Sequence, residues 1–167
     1  MFQGPDFMEK PQATRFAILA ALAFALLMAG SYFMSPSKDG ESFIATFPSG
    51  TQLTLEVADN ERPLMLISGL AFRDSLPSNS GMLFIYDRAD FHLRNTQQYR
   101  FPVDIIWLDD AKRVLMMVEA ATPCVSQNCP TYGPPPEKAR YVIETQAGFV
   151  RRERLVVGNE LRFALRM

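Results

Sequence analysis

Nineteen consecutive residues without a charge, Phe16 to Met34, constrain this chain more than any other feature. Wound as an α-helix the run spans roughly 29 Å at about 1.5 Å per residue, close to the ~30 Å hydrocarbon layer. A helix packed on a globular core keeps one polar face, and this run has none. Lys10 and Arg15 precede it, so the positive-inside rule assigns residues 1–15 to a cytoplasmic tail. Everything after Ser35 then faces the far side of the inner membrane. Ala29, Gly30 and Ser31 also fit a signal-peptidase site behind a shorter apolar core. Two expectations stand: residues 16–34 are a single-pass anchor, or a cleaved signal segment that leaves a periplasmic or secreted domain. Both export the remainder. Residues 35–41 (Ser-Pro-Ser-Lys-Asp-Gly-Glu) are small, polar and turn-forming, and read as a linker.

Residues 42–167 are enough for one core that buries roughly two thirds of the unfolded surface. Apolar residues make up 48% of the chain and charged ones 21%, which is globular composition. Eighteen acids against 17 bases leave no basic excess, so nucleic acid is not an expected partner. One histidine and two cysteines are too few for a zinc finger or a multi-histidine centre. No metal and no cofactor are expected.

Short apolar or alternating runs recur between turn residues, the pattern of strands. Ser42–Phe47 and Gln52–Ala58 flank Pro-Ser-Gly-Thr and read as a hairpin. In the second arm Leu53, Leu55 and Val57 alternate with polar residues, so that strand is half-buried. Asp59-Asn60 offers a cap for a short helix over Glu61–Leu70, with Pro63 in its first turn and Gly69 near its end. Further strands are expected at Met82–Tyr86, Phe91–Arg94, Val103–Leu108, Arg113–Glu119, Tyr141–Glu144 and Leu161–Leu165. Val103–Leu108 is nearly all apolar and reads as central. Ala147–Arg154 reads as a second short helix, and Ala120–Arg140 as a long proline-rich loop. The fold class is mainly β, a sandwich or barrel with one or two short helices.

Gly69-Leu70-Ala71-Phe72-Arg73, Gly81-Met82-Leu83-Phe84, Arg94-Asn95-Thr96 and Pro102-Val103-Asp104-Ile105-Ile106 follow one another in an order that resembles the bacterial and archaeal domain of unknown function 192. Tyr141–Glu144, Ala147-Gly148 and Val157–Glu160 resemble that family's closing segment. The resemblance implies a jelly-roll-like β fold, often exported or membrane-anchored, and no assigned reaction. Three departures stand out, one of them Ala71 where the family has Met. His92-Leu93-Arg94-Asn95-Thr96 replaces a Trp-Met-Lys-Asn-Thr box, and Gln97–Phe101 puts five residues before Pro102 where the family has two.

Arg73, Arg94, Asn95, Thr96 and Asp104 are the polar members of these boxes and the candidate ligand-binding residues. Asp104 lies in an apolar strand, where an unpaired carboxylate is costly, so it needs a partner. Arg73 or Arg94 would suit it as a bidentate donor. A fold-defining ion-pair network is the competing reading. His92 has no nucleophile in motif context and so forms no triad. Asp109-Asp110 reads as a turn rather than a calcium loop, and Arg151, Arg152 and Arg154 as a solvated helix face. Cys124 and Cys129 lack both Cys-x-x-Cys spacing and further ligands; in an exported domain they are expected to form a disulfide. The expected role is a non-catalytic binding or accessory module of the bacterial envelope. Two alternatives stay open: a hydrolase-like enzyme using Arg94, Asn95 and Asp104, and an accessory subunit of a larger membrane complex.

Overall fold

Period-two alternation along the central strands decides the architecture, because it sends apolar side chains to both faces of one sheet. The computed structural model describes residues 42–165. The tail, the anchor-or-signal segment and the linker lie outside those residues. Among the described residues no helix is long and apolar enough to cross a membrane.

The strands are β1 (Ser42–Thr46), β2 (Gln52–Ala58), β3 (Ser80–Asp90), β4 (Arg94–Asn95), β5 (Val103–Leu108), β6 (Val114–Ala121), β7 (Thr131–Tyr132), β8 (Ala139–Gln146) and β9 (Arg162–Leu165). Two short helices join them, α1 (Pro63–Ser68) and α2 (Phe149–Glu153). Seven strands make one sheet in the order β6-β5-β8-β3-β2-β1-β9, and β4 pairs with β7 in a second sheet of two-residue strands. Within the large sheet β2 and β3 run parallel, joined by a connection that contains α1, and the other neighbours are antiparallel.

The mainly β class and the two short helices agree with the sequence. Closure does not: the sheet is open, with β6 and β9 at its edges. Those edges approach through the segment ahead of β9, where Val114 N donates to Asn159 O (2.8 Å) and Leu161 N to Lys112 O (3.0 Å). Helices and loops, rather than a second large sheet, cover the two faces. On one, Leu53, Leu55, Leu83, Ile106 and Ile143 pack with Phe149 and Val150 of α2. On the other, Met82, Phe84, Ile105, Trp107 and Val142 pack with Leu70, Leu76 and Tyr99. This double burial explains why all of Val103–Leu108 is inaccessible, and why its sequence is apolar at every position but Asp104.

Local chemistry sets the ends of elements. Gly50 takes φ +89° and turns the β1–β2 hairpin, where Phe47 N bonds Thr51 O at 2.9 Å. The Asp59 carboxylate accepts Arg62 N at 3.1 Å just ahead of α1, and Pro63 opens the helix, which stops short of the expected 61–70 because Gly69 breaks the helical conformation at φ +54°. β3 and β8 extend past the expected segments: they pair in register from Gly81–Thr145 to Ile85–Tyr141 and, after an irregularity, meet again at Asp90–Ala139. The expected strand at Phe91–Arg94 shrinks to Arg94-Asn95, whose partner β7 sits inside the proline-rich loop.

Candidate functional site

Glu144 lies towards the end of β8, and alternation turns its side chain to the same face as Val142 and away from Ile143. It is wholly buried. Arg94 Nε donates to its Oε1 at 2.8 Å and the Tyr99 hydroxyl to its Oε2 at 2.5 Å, while Leu70 N donates to the Tyr99 oxygen at 3.0 Å. The Arg94 guanidinium also lies 3.7 Å from the centre of the Phe84 ring. Burial opposes the charge on Arg94, yet Glu144, Tyr86 and Tyr99 outweigh it and hold the group above its ordinary pKa. Burial, reinforced by the Glu144 carboxylate, pushes the Tyr99 phenol above its ordinary value of 10.0. A buried pair with both oxygens of its carboxylate engaged is a strongly held scaffold.

Over this scaffold opens a cleft of about 350 Å³, bordered by the end of α1, the Ala71-Phe72 segment and the Leu93–Tyr99 segment. Arg94 is 8% exposed and lines it. The rim is apolar and open to solvent: Ile67 is 81% exposed, Phe72 65% and Leu93 52%. Ser68, Asn95, Gln97 and Gln98 supply neutral hydrogen-bonding groups. Phe72 (φ +63°) and Gln98 (φ +62°) both hold left-handed backbone, and Phe72 N donates to Gln98 O at 2.9 Å across the cleft wall. Non-glycine residues persist there only where surrounding contacts over-determine them, and such positions gather at binding sites. Gly69 is also required. A Cβ on it would lie 2.2 Å from the Tyr99 hydroxyl and 2.9 Å from Arg94 Nη2.

The five sequence candidates separate. Arg94 and Asn95 line the cleft. Thr96 is buried behind its wall, where its hydroxyl donates to Thr122 O at 2.6 Å. Arg73 pairs in a fork with Glu56 of β2, both contacts at 2.7 Å. Asp104 meets neither arginine. It shares a face with Ile106, opposite the Arg94 side, because Val103 and Ile105 on either side of it point the other way. There it accepts two main-chain amides, Ala120 N on Oδ1 and Val150 N on Oδ2, each at 2.8 Å. The arginine pairing expected for Asp104 is thus replaced by a clamp on β6 and on the first turn of α2, and the three residues of the hydrolase-like reading are not one cluster.

Tyr99 and Glu144 are the central residues that sequence reasoning did not single out. Tyr99 belongs to the extra segment Gln97–Phe101, which supplies both a cleft wall and the hydroxyl on Glu144. His92 stacks on Tyr86 at 3.5 Å, and its carbonyl accepts Trp107 Nε1 at 2.8 Å. Cys124 and Cys129 are joined in a disulfide. Among the described residues no group of three or more His, Cys, Asp or Glu side chains could hold a metal ion.

DUF192, a family described as an uncharacterised ACR, matches residues 44–163. No functionally curated protein matches the chain. A Sinorhizobium meliloti 1021 protein, provisionally called a transcription regulator, superposes with a TM-score of 0.64 at 24% identity, over 77% of this chain and 97% of that one. A Novosphingobium aromaticivorans DSM 12444 protein of unknown function superposes at 0.61 with 22% identity, over 77% of this chain and 89% of that one. These likenesses are of fold.

Proposed function

For a chain that belongs to the DUF192 family, which carries no assigned reaction, we propose a non-catalytic binding module of the bacterial envelope that holds its ligand in the cleft over Arg94. The observation that carries this reading is the combination of an exposed apolar rim with a floor whose charge is internally matched. Solvent-exposed Ile67, Phe72 and Leu93 around one concavity are what a binding surface presents. Arg94 is already neutralised by Glu144, so the floor has no spare charge to attract an anion strongly. The ligand is therefore an uncharged molecule with an apolar face and groups that exchange hydrogen bonds with Asn95, Gln97, Gln98 or Ser68. An NMR screen of neutral amphipathic fragments tests this. Hits that shift Ile67, Phe72, Leu93 and Gln98 support it, and hits confined to the α2 face refute it.

Membrane tethering and an outward-facing domain complete the proposal, resting on the uncharged run behind Lys10 and Arg15. Alkaline phosphatase fused after Met167 should be active and a reporter that needs the cytosol silent. The second reading, a subunit of a membrane complex, draws on Leu64 and Ile67, which both project from α1 into solvent. Cross-linking from Leu64 to a membrane protein, with no fragment bound in the cleft, would favour it.

A further inference from the structure

We propose that the Cys124–Cys129 disulfide is a redox latch on the cleft, opened by a dithiol reductant and set again by reoxidation. The proposal rests on the cleft being the binding site. Cys124 is built into the cleft wall through its main chain: its amide donates to Thr96 O at 3.2 Å, and its carbonyl accepts Gln98 N at 2.7 Å. Gln98 O then accepts Phe72 N at 2.9 Å. A short series of hydrogen bonds thus runs from one half-cystine to the two lining residues that hold left-handed backbone. Their conformation depends on these partners, because a phenylalanine or a glutamine released from them relaxes toward negative φ.

The bond is placed to be opened without loss of the fold. It closes a loop of six residues, Cys124 to Cys129, whose members belong to neither core cluster. Both cysteines are partly accessible and Val125 at the loop tip is 76% exposed, so a reductant can reach the sulfurs. Ser126 Oγ lies 3.3 Å from Cys124 Sγ, where its hydroxyl can donate to a departing Cys124 thiolate. One thiolate of the dithiol attacks Cys129 Sγ, forming a mixed disulfide and expelling Cys124 as thiolate, which water protonates. The second thiol of the reductant, as thiolate, attacks its own sulfur in the mixed disulfide and releases Cys129, likewise protonated. The reductant leaves as its disulfide, oxidised by two electrons, and the two cysteines are reduced by the same two. Without the cross-link Cys124 loses its fixed position, and the bonds to Thr96 and Gln98 open more often.

Hydrogen-exchange mass spectrometry of the full chain, oxidised and after dithiothreitol, reads this directly. Peptides covering Phe72 and Gln98 should exchange at least about tenfold faster when reduced, while β5 and β8 keep their rates and reoxidation restores protection. A Cys124→Ser/Cys129→Ser double variant should match the reduced protein without any reductant. Faster exchange confined to residues 125–129 would overturn the latch, as would loss of protection throughout β5 and β8. The measurement needs no ligand. A failed fragment screen therefore refutes the binding site alone, and unchanged exchange at Phe72 and Gln98 refutes the latch alone.

Discussion

Replacing Tyr99 with phenylalanine removes one oxygen atom and two hydrogen bonds. The hydroxyl donates to Glu144 Oε2 and accepts Leu70 N, in a site where Tyr99 and Glu144 are buried. A hydrogen bond to a charged group contributes about 1.5–3 kcal/mol, and an amide left without a partner costs about 1–3 kcal/mol. The two losses share an atom and overlap, so the expected destabilisation is about 2–4 kcal/mol. Urea unfolding followed by circular dichroism measures it, with an unchanged denaturant slope showing that only stability has moved. The same residue supplies a second readout. Burial and the Glu144 carboxylate raise the phenol above 10.0, so its contribution is complete below that pH and is lost as pH rises past it toward the folded-state value. The wild type should weaken steeply above pH 10, and Tyr99→Phe should flatten that slope, leaving the part due to Tyr86, whose phenol burial also raises. A variant within about 0.5 kcal/mol of wild type, with the same alkaline slope, would refute the buried network.

Asp104→Ala strands the amides of Ala120 and Val150 and should cost about 2–4 kcal/mol in a urea melt, with fragment binding in the cleft unchanged because Asp104 lies on the other face. Gly69→Ala drives a Cβ into the Tyr99 hydroxyl and should lower the melting temperature clearly more than Gly50→Ala, where φ is also positive but nothing lies within 4 Å; equal losses would refute the steric account. The Arg73 hydrogen bonds, outweighing partial burial, hold Glu56 below its ordinary 4.5. The contribution of that pair is complete above pH 4.5 and lost as pH falls through the folded-state value, so acid unfolding should be steeper in wild type than in Glu56→Gln, and parallel titrations would count against the pair.

Strands whose residues obey one strong period were legible in the sequence. β2 and β5 stand at their expected bounds because Leu53-Leu55-Val57 alternate and Val103–Leu108 is apolar at every position but Asp104. β7 was not legible, since a pair of residues within a proline-rich loop has no period to detect. Openness of the sheet depends on whether β6 and β9 pair with each other, which no local pattern encodes. At the site, the rule that a carboxylate in an apolar strand needs a partner correctly marked Asp104 as bound, although its partners are amides. Applied to Tyr-Val-Ile-Glu, the same rule marks Glu144 as well. What it cannot supply is the partner: Tyr99 lies 45 residues away and Arg94 50, and only the fold brings them together.

The pairing of β1 with β9 has a kinetic consequence. Ala45 stands opposite Phe163 and Thr46 opposite Arg162, so the outer neighbour of β1 is the strand that follows every other strand of this sheet in the sequence. β3 likewise waits for β8, with Leu83 opposite Ile143. Loop closure over such distances precedes any reward from contact, which places folding of high-contact-order β domains on a scale of roughly milliseconds to seconds. Until residues 162–165 join the sheet, β1 retains an open hydrogen-bonding edge, and a chain in which that pairing has not formed is the species most exposed to strand-to-strand aggregation.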